Sequence, residues 1–420
     1  MTENSRFTPD LRSMINILIY NSLGFFFLDF LTYYFTSQQL NASGLQVGFI
    51  FTLNIFGNIL SSTFTGFITD KIKSKSRLIL IGSFGRGLAY FIVYFAFFSN
   101  SLLIIYFGYF SLGFFVGFFW IPFNTLISQK SNRENRSEAF GKREAAVGRG
   151  LVVGSVIGFT IFNFAIIFTD NPLIIYLAIP LSGLANFYAG IKFFRTVDES
   201  IKISDLNSNL NKQNNSNKAL SKYAFIGLFF VSVVLLLANM NGSLAKPFLN
   251  YYLLDFITSD AFLASMVYIP AGAASMLLAP RIGKIVDRIR PELGITITSM
   301  IGALTTWLLI NTYNYYIFSI LLMIDVTVAQ TANLVVQNLI SRISITHRGK
   351  SFGALQIVMG FGNVIGPLIG GLAWDYISHT APFIISIIVE LCLIPFYIIS
   401  VKLIKPILKE GYENENNKKA

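Results

Sequence analysis

The chain has 420 residues, 54% of them hydrophobic and only 13% charged, against roughly 25% charged in an ordinary soluble domain. That leaves too little polar surface to cover a soluble fold of this length, which excludes a soluble enzyme, a disordered chain and a secreted disulfide scaffold. A net charge of +11 rests on 32 Lys and Arg, so in so apolar a chain the positions of the cations carry the information.

Residues 1–13 are short and polar, and no small-residue cleavage site follows the first apolar run from Met14. That run is expected to be a retained membrane helix and not a removed signal peptide. With about 20 apolar residues needed per crossing, twelve spans are predicted: 14–36, 45–68, 77–98, 102–127, 144–168, 172–194, 222–250, 261–282, 293–311, 315–341, 351–375 and 381–404. The runs are continuously apolar and do not alternate, so helices are expected, in which every backbone group is paired within its own segment. The fold class is an all-α membrane protein.

The breaks between spans alternate in charge. Lys71, Lys73, Lys75 and Arg77 follow span two, and Lys130, Arg133, Arg136, Lys142 and Arg143 follow span four. Arg281, Lys284, Arg288 and Arg290 surround the break after span eight, and Arg342, Arg348 and Lys350 the one after span ten. The intervening breaks carry no Lys or Arg. Basic loops face the cytoplasm, so a multi-pass protein of the plasma or inner membrane is expected, with both termini cytoplasmic. The Asn-rich break 195–221 reads as a flexible linker. It divides the chain into an N-terminal six-helix bundle (1–194), the linker, a C-terminal six-helix bundle (222–404) and a tail (405–420).

The halves repeat. The segment Arg136 to Gly141 leads into span five, which carries Gly154 and Gly158; Arg348 to Gly353 leads into span eleven, which carries Gly366, Pro367 and Gly370. Gly150, Gly154 and Gly158, like Gly362, Gly366 and Gly370, fall four apart on one helix face, where a neighbouring backbone can come close. Gly66, Asp70 and Lys71 after span two are matched by Gly283, Asp287 and Arg288 after span eight. Two halves with the same sense across the membrane imply parallel repeats.

These features together resemble the major facilitator superfamily of secondary transporters, over the whole chain. The family's loop pattern is roughly Gly-x-Leu-x-Asp-Arg-x-Gly-Arg-[Arg/Lys]. Gly66, Asp70, Lys71, Lys75 and Arg77 fit it, while Lys73 and Arg290 stand where the second Gly of each copy is expected. The resemblance implies that Asp70 and Asp287, with their neighbouring cations, form a cytoplasmic latch between the halves, closed in the outward-facing state. It also implies alternating access about a midplane site. The antiporter pattern of span five is displaced, because Phe159 stands where its Pro belongs, and span four lacks the Arg that many antiporters carry.

Ionisable groups deep in a span are costly and are functional candidates by default. Asp29 lies mid-way along span one and Asp325 mid-way along span ten; the resemblance places both helices around the central cavity, so these two are the first choices for proton coupling. Asn333 and Gln337 continue a polar stripe on span ten, Asn239 and Lys246 share a face of span seven, and Asn54 and Asn58 share one of span two. Arg149 lies about six residues inside span five and either snorkels to the surface or points inward. Trp120 is the aromatic expected to touch ligand. The resemblance puts spans three and twelve outside the cavity, so Arg86 and Glu390 read as structural.

His347 and His379 sit in separate loops and form no metal site, and Gly349-Lys350-Ser351 lacks the first Gly of a phosphate-binding loop. No metal and no cofactor are expected. The expected partners are a small-molecule substrate, protons and membrane lipids, without nucleic acid, and the protein is expected to be a monomer. The competing class is a non-transporting membrane sensor or assembly protein that keeps the same fold.

Overall fold

A computed structural model describes residues 7–72, 74–131, 136–201, 222–260, 262–264, 266, 267, 270, 291–342 and 348–404. Every extended secondary-structure element among them is helical. Nine helices among the described residues are long and apolar enough to cross a membrane. Spans two, three, four and five appear as Gly44–Lys71, Lys75–Phe98, Leu102–Lys130 and Arg136–Phe168. Spans nine to twelve appear as Pro291–Ile310, Tyr315–Arg342, Arg348–Tyr376 and Ala381–Ile404. Most of predicted span eight lies outside the described residues.

Three predicted spans are interrupted. Span one is two helices, Leu11–Asn21 and Phe25–Gln38, so its apolar run hides a break at Ser22–Gly24. Span six is a single turn, Pro172–Ile175, followed by Ala178–Thr196. Asn171 starts that turn by accepting the Leu173 amide (3.0 Å), with Pro172 at the first helical position. Span seven runs over Lys222–Leu244 and Lys246–Tyr252 and ends in a π-turn at Leu253–Ile257. Helix ends elsewhere follow local chemistry. Ser43 and Gln46 form a reciprocal capping box at the start of span two. Asn41 (φ 46°) and Asn100 (φ 50°) take the left-handed conformation in the short turns before spans two and four.

The chain divides into two compact units, one of Met1–Gln213 with Leu249–Ile269, the other of Asn214–Phe248 with Pro270–Ala420. In the first, span three packs on spans four and six, and span four also packs on span two. Leu18, Ile79, Phe119, Phe123 and Phe193 are among the buried residues of its core. The segment from Leu249 belongs to this unit: the Tyr251 hydroxyl donates to Thr36 Oγ1 at 3.1 Å, and the Tyr251 ring meets Tyr33 edge-on. In the second unit, span seven packs on spans eleven and twelve, and span nine on spans ten and twelve. Val234, Leu235, Val335, Leu393 and Tyr397 centre its core. Large apolar side chains such as Phe67, Leu103, Ile167 and Phe168 stand more than two-thirds exposed. A continuous apolar exterior is what hydrocarbon solvates without cost, whereas in water it would be an aggregation liability.

Polar fasteners close one end of the first unit. Lys130, 1% exposed, pairs with Asp10 at 2.6 Å and donates to the carbonyls of Asp198 (2.6 Å) and Ile201 (3.1 Å). Glu199 accepts the backbone amides of Lys75 (2.7 Å) and Ser76 (2.9 Å) and the Ser74 hydroxyl (3.0 Å). It thereby caps span three, whose own N-cap residue, Ser74, makes no side-chain cap bond.

Candidate functional site

In the first unit the interior polar groups converge on the break in span one. Arg86, wholly buried on span three, donates to the Asn21 side-chain oxygen and, at 3.1 Å, to the Asn21 carbonyl. Its guanidinium lies 4.3 Å from the Phe25 ring centroid and 5.8 Å from that of Phe119. Asn21 in turn donates to Asn186 of span six at 3.1 Å. Asp29, half-buried one and a half turns beyond the break, is close enough to Tyr90 and Tyr109 for its charge to act on both phenols. The Tyr109 hydroxyl donates to Thr32 at 2.6 Å. An ionisable carboxyl of span one thus lies near two buried phenols, one of which neighbours the buried Arg86.

The second unit has a comparable group. Asp325 on span ten faces the hydroxyls of Thr306 (3.4 Å) and Thr305 (3.5 Å) on span nine. Glu390 of span twelve lies against Gly302 of span nine, where an added Cβ would meet both carboxyl oxygens at 2.9 Å, and it falls within the field of Asp325. Its Oε2 is buried without a hydrogen-bond partner. Span nine therefore gathers two carboxyl groups against a glycine and two threonines.

The other predicted positions fall as follows. Asn54 donates to the Tyr109 carbonyl at 3.1 Å, joining spans two and four, and Asn58 accepts from Ser62 one turn along its own helix at 3.0 Å. Trp120 packs at the core of the first unit between Phe119 and Phe123, with the Arg143 guanidinium 5.6 Å from its ring. Arg149 and Lys246 are exposed in their units. Asn239 donates to the Leu235 carbonyl at 2.7 Å and accepts from Asn363 of span eleven at 3.3 Å. Asn333 and Gln337 lie on span ten, but their side chains are outside the described set, as is that of Asp70 in the last turn of span two. Gly66 and Lys71 share that end of span two; Lys71 is exposed, and among the described residues of its own unit a Cβ at Gly66 would meet nothing within 4 Å. Gly283, Asp287 and Arg288 lie outside the described residues.

The glycine ladders meet backbone. A Cβ on Gly154 would stand 1.7 Å from the Leu23 carbonyl oxygen, and one on Gly158 2.6 Å from the Phe27 ring. In the second unit a Cβ on Gly366 would stand 2.5 Å from the Met240 carbonyl and one on Gly370 2.4 Å from that of Leu244. Pro367 sits inside the same helix. Sequence reasoning did not find Asn21, Tyr90, Tyr109 or Asn186 as site residues, and set Arg86 and Glu390 aside by helix position. The available signal was each one's polarity in mid-span.

Nine lipid-length apolar helices among the described residues define a polytopic helical membrane protein. A profile of the Major Facilitator Superfamily matches residues 14–344 and 233–417, and the chain belongs to that family. The multidrug resistance protein MdtG of Proteus mirabilis is 26% identical over 332 residues, 78% of this chain and 78% of that protein. MdtG of Escherichia coli K12 is 24% identical over 379 residues, 83% of this chain and 84% of its own. Among solved structures, an inward-facing, unoccupied bacterial homologue of the human lysosomal transporter Spinster matches with a TM-score of 0.71 at 13% identity, over 96% of this chain and 99% of that one. The nucleoside transporter NupG matches with a TM-score of 0.68 at 13% identity, over 93% and 99%. At such identities these two establish the fold alone.

Proposed function

We propose that the protein is a proton-coupled secondary transporter that exports a small organic compound by alternating access, with Asp29 and Asp325 as its titrating groups. The observation that carries this reading is the position of Asp29: a carboxyl inside a six-span bundle, within the field of Tyr90 and Tyr109. Export, and not uptake, follows the relatives named for multidrug resistance, which align over about four-fifths of the chain. The working unit is a monomer in the plasma or inner membrane with both termini cytoplasmic. Its bundles, 1–194 and 222–404, joined by the linker 195–221, rock about a midplane site, and the Asp70 and Asp287 loops latch the cytoplasmic side.

The test is flux in proteoliposomes under an imposed pH gradient, with ethidium and pooled organic compounds as probes. Gradient-driven flux of at least one probe is expected, with a loss of tenfold or more, on the order of 1.4 kcal/mol per decade, in Asp29→Asn and Asp325→Asn at normal expression. Flux that ignores the gradient, or that survives both substitutions, overturns the reading.

A further inference from the structure

The interruption of span one falls inside the lipid-buried part of the unit, where a freed carbonyl costs as much as a lost hydrogen bond unless something replaces the helical amide. Ser22 departs from helical geometry (φ -104°, ψ 1°), and Gly24, itself in the right-handed helical region, starts the second helix with no side-chain cap. The replacement comes from span three. Arg86 reaches Asn21 at two points, the carbonyl and the side-chain oxygen, while Asn186 takes the Asn21 amide and anchors itself on the Ser182 carbonyl at 2.9 Å. Arg86, Asn21 and Asn186 are each 0% exposed. A planar fork presents two separate nitrogens to the two Asn21 oxygens, a geometry that a compact ammonium does not reproduce.

The same residue brings a charge. An ion held in a low-dielectric interior costs several kcal/mol unless neighbours compensate it. The Asn21 oxygens and the Phe25 face supply part of that compensation. Tyr90, also 0% exposed, stands one turn from Arg86, and its hydroxyl would lie 2.8 Å from a Cβ on Gly24. Neither the Arg86 Nε nor the Tyr90 hydroxyl finds a well-aligned hydrogen-bond partner, and Tyr90 feels the charge of both Arg86 and Asp29. The Asp29 charge reaches Tyr90, which neighbours Arg86 on span three, and Tyr109 of span four. Span five meets this region of span one with Gly154, Gly158 and Phe159, and span six with Ser182 and Asn186, all uncharged.

We propose that Arg86 is a positioning residue for the transport chemistry: from span three it pins the break in span one and, across Tyr90, sets the charge environment of Asp29. This rests on the reading of Asp29 as a titrating group, and the test separates the two. Melting temperatures of the purified full-length protein are measured by intrinsic fluorescence between pH 5 and 8 for wild type, Arg86→Met, Asp29→Asn and the double variant. Arg86→Met is expected to melt lower by on the order of 5–10 °C and to change the pH dependence of melting. In the double variant the losses should be far from additive. If Asp29→Asn leaves the wild-type pH dependence intact, the reading of Asp29 fails. If Asp29→Asn removes that dependence but the double variant is strictly additive and Arg86→Met keeps the wild-type profile, the proposal for Arg86 alone is overturned. Should Arg86→Met fail to accumulate, Arg86→Lys takes its place. It keeps the charge and loses the two-point hold, so a lower melting temperature with an unchanged pH profile is expected, and a wild-type melting temperature overturns the hold.

Discussion

Glu199 offers the sharpest local test of how the first unit is fastened. Span three begins at Lys75 with no cap of its own, and Glu199, 124 residues further along, accepts the Lys75 and Ser76 amides and the Ser74 hydroxyl. Losing a side-chain cap costs about 1 kcal/mol, and an anion at a helix N-terminus adds about 0.3–1 kcal/mol. Because the carboxylate is partly exposed, solvent screening holds the sum for Glu199→Ala near 2 kcal/mol. That corresponds to roughly thirtyfold faster amide exchange if opening is local. The assay is hydrogen–deuterium exchange by mass spectrometry on the peptide covering residues 74–78 in lipid nanodiscs, with Glu199→Gln as the milder variant that keeps an acceptor but no charge. The pH dependence has a definite sign. Burial pushes the Glu199 carboxyl up, but the Ser76 and Lys75 amides and the Ser74 hydroxyl outweigh it, and the group is held below its ordinary value. A lowered folded-state value means that the stabilisation is complete above the ordinary glutamate range and is lost as the pH falls below that range and through the folded value. Exchange in Glu199→Ala that matches wild type at pH 7 would refute the trans-cap.

Two further outcomes follow from the glycine and carboxyl contacts. Gly154→Val puts a branched side chain where even a Cβ would lie 1.7 Å from the Leu23 carbonyl, so spans one and five must part. A loss on the order of 3 kcal/mol is expected in thermal melting, whereas Gly66→Ala, with nothing near it in its own unit, should melt as wild type. Glu390→Gln removes the carboxyl on which the Asp325 charge acts. It is expected to displace the pH profile of probe flux by roughly one unit, and an unchanged profile would return Glu390 to a purely structural part.

The membrane-spanning helices were legible because hydropathy averages over about 20 residues; the ends of spans two to four fall close to the predicted ones, whereas the helix of span five begins at Arg136 and not at residue 144, its charged first turns being invisible to hydropathy. The same averaging concealed the break at Ser22–Gly24, which interrupts an apolar run without a proline or a charge. The group that bonds Asn21 at the break lies 65 residues away, in Arg86, and no spacing rule in one sequence connects those positions. The glycine ladders were legible as small-residue faces, but their partners, the Leu23 and Met240 carbonyls, depend on which helices the fold brings together. Arg86 and Glu390 were set aside because helix position stood in for environment. Arg86 sits against Asn21 of span one and Glu390 against Gly302 of span nine, contacts that helix position alone does not give.

The placement of the cations also refines the reading of the +11 charge. Basic residues at helix ends read as topology signals, and a signal of that kind needs only to stay in water. Lys130 does not: it is 1% exposed and spends its charge on Asp10 and two carbonyls of the segment after span six. Lys142 lies 4.3 Å from the Phe7 ring, and Lys192 lies 4.9 Å and 5.3 Å from the rings of Tyr20 and Tyr188. An ammonium over an aromatic face keeps contact with water while its stem covers apolar surface. The same residue can therefore satisfy the insertion rule and hold a helix end in place. A lysine such as Lys130, whose nitrogen is enclosed, differs in kind. Losing it would strand Asp10, 12% exposed, without its counter-ion, and breaking a buried pair in that way costs more than forfeiting an exposed one.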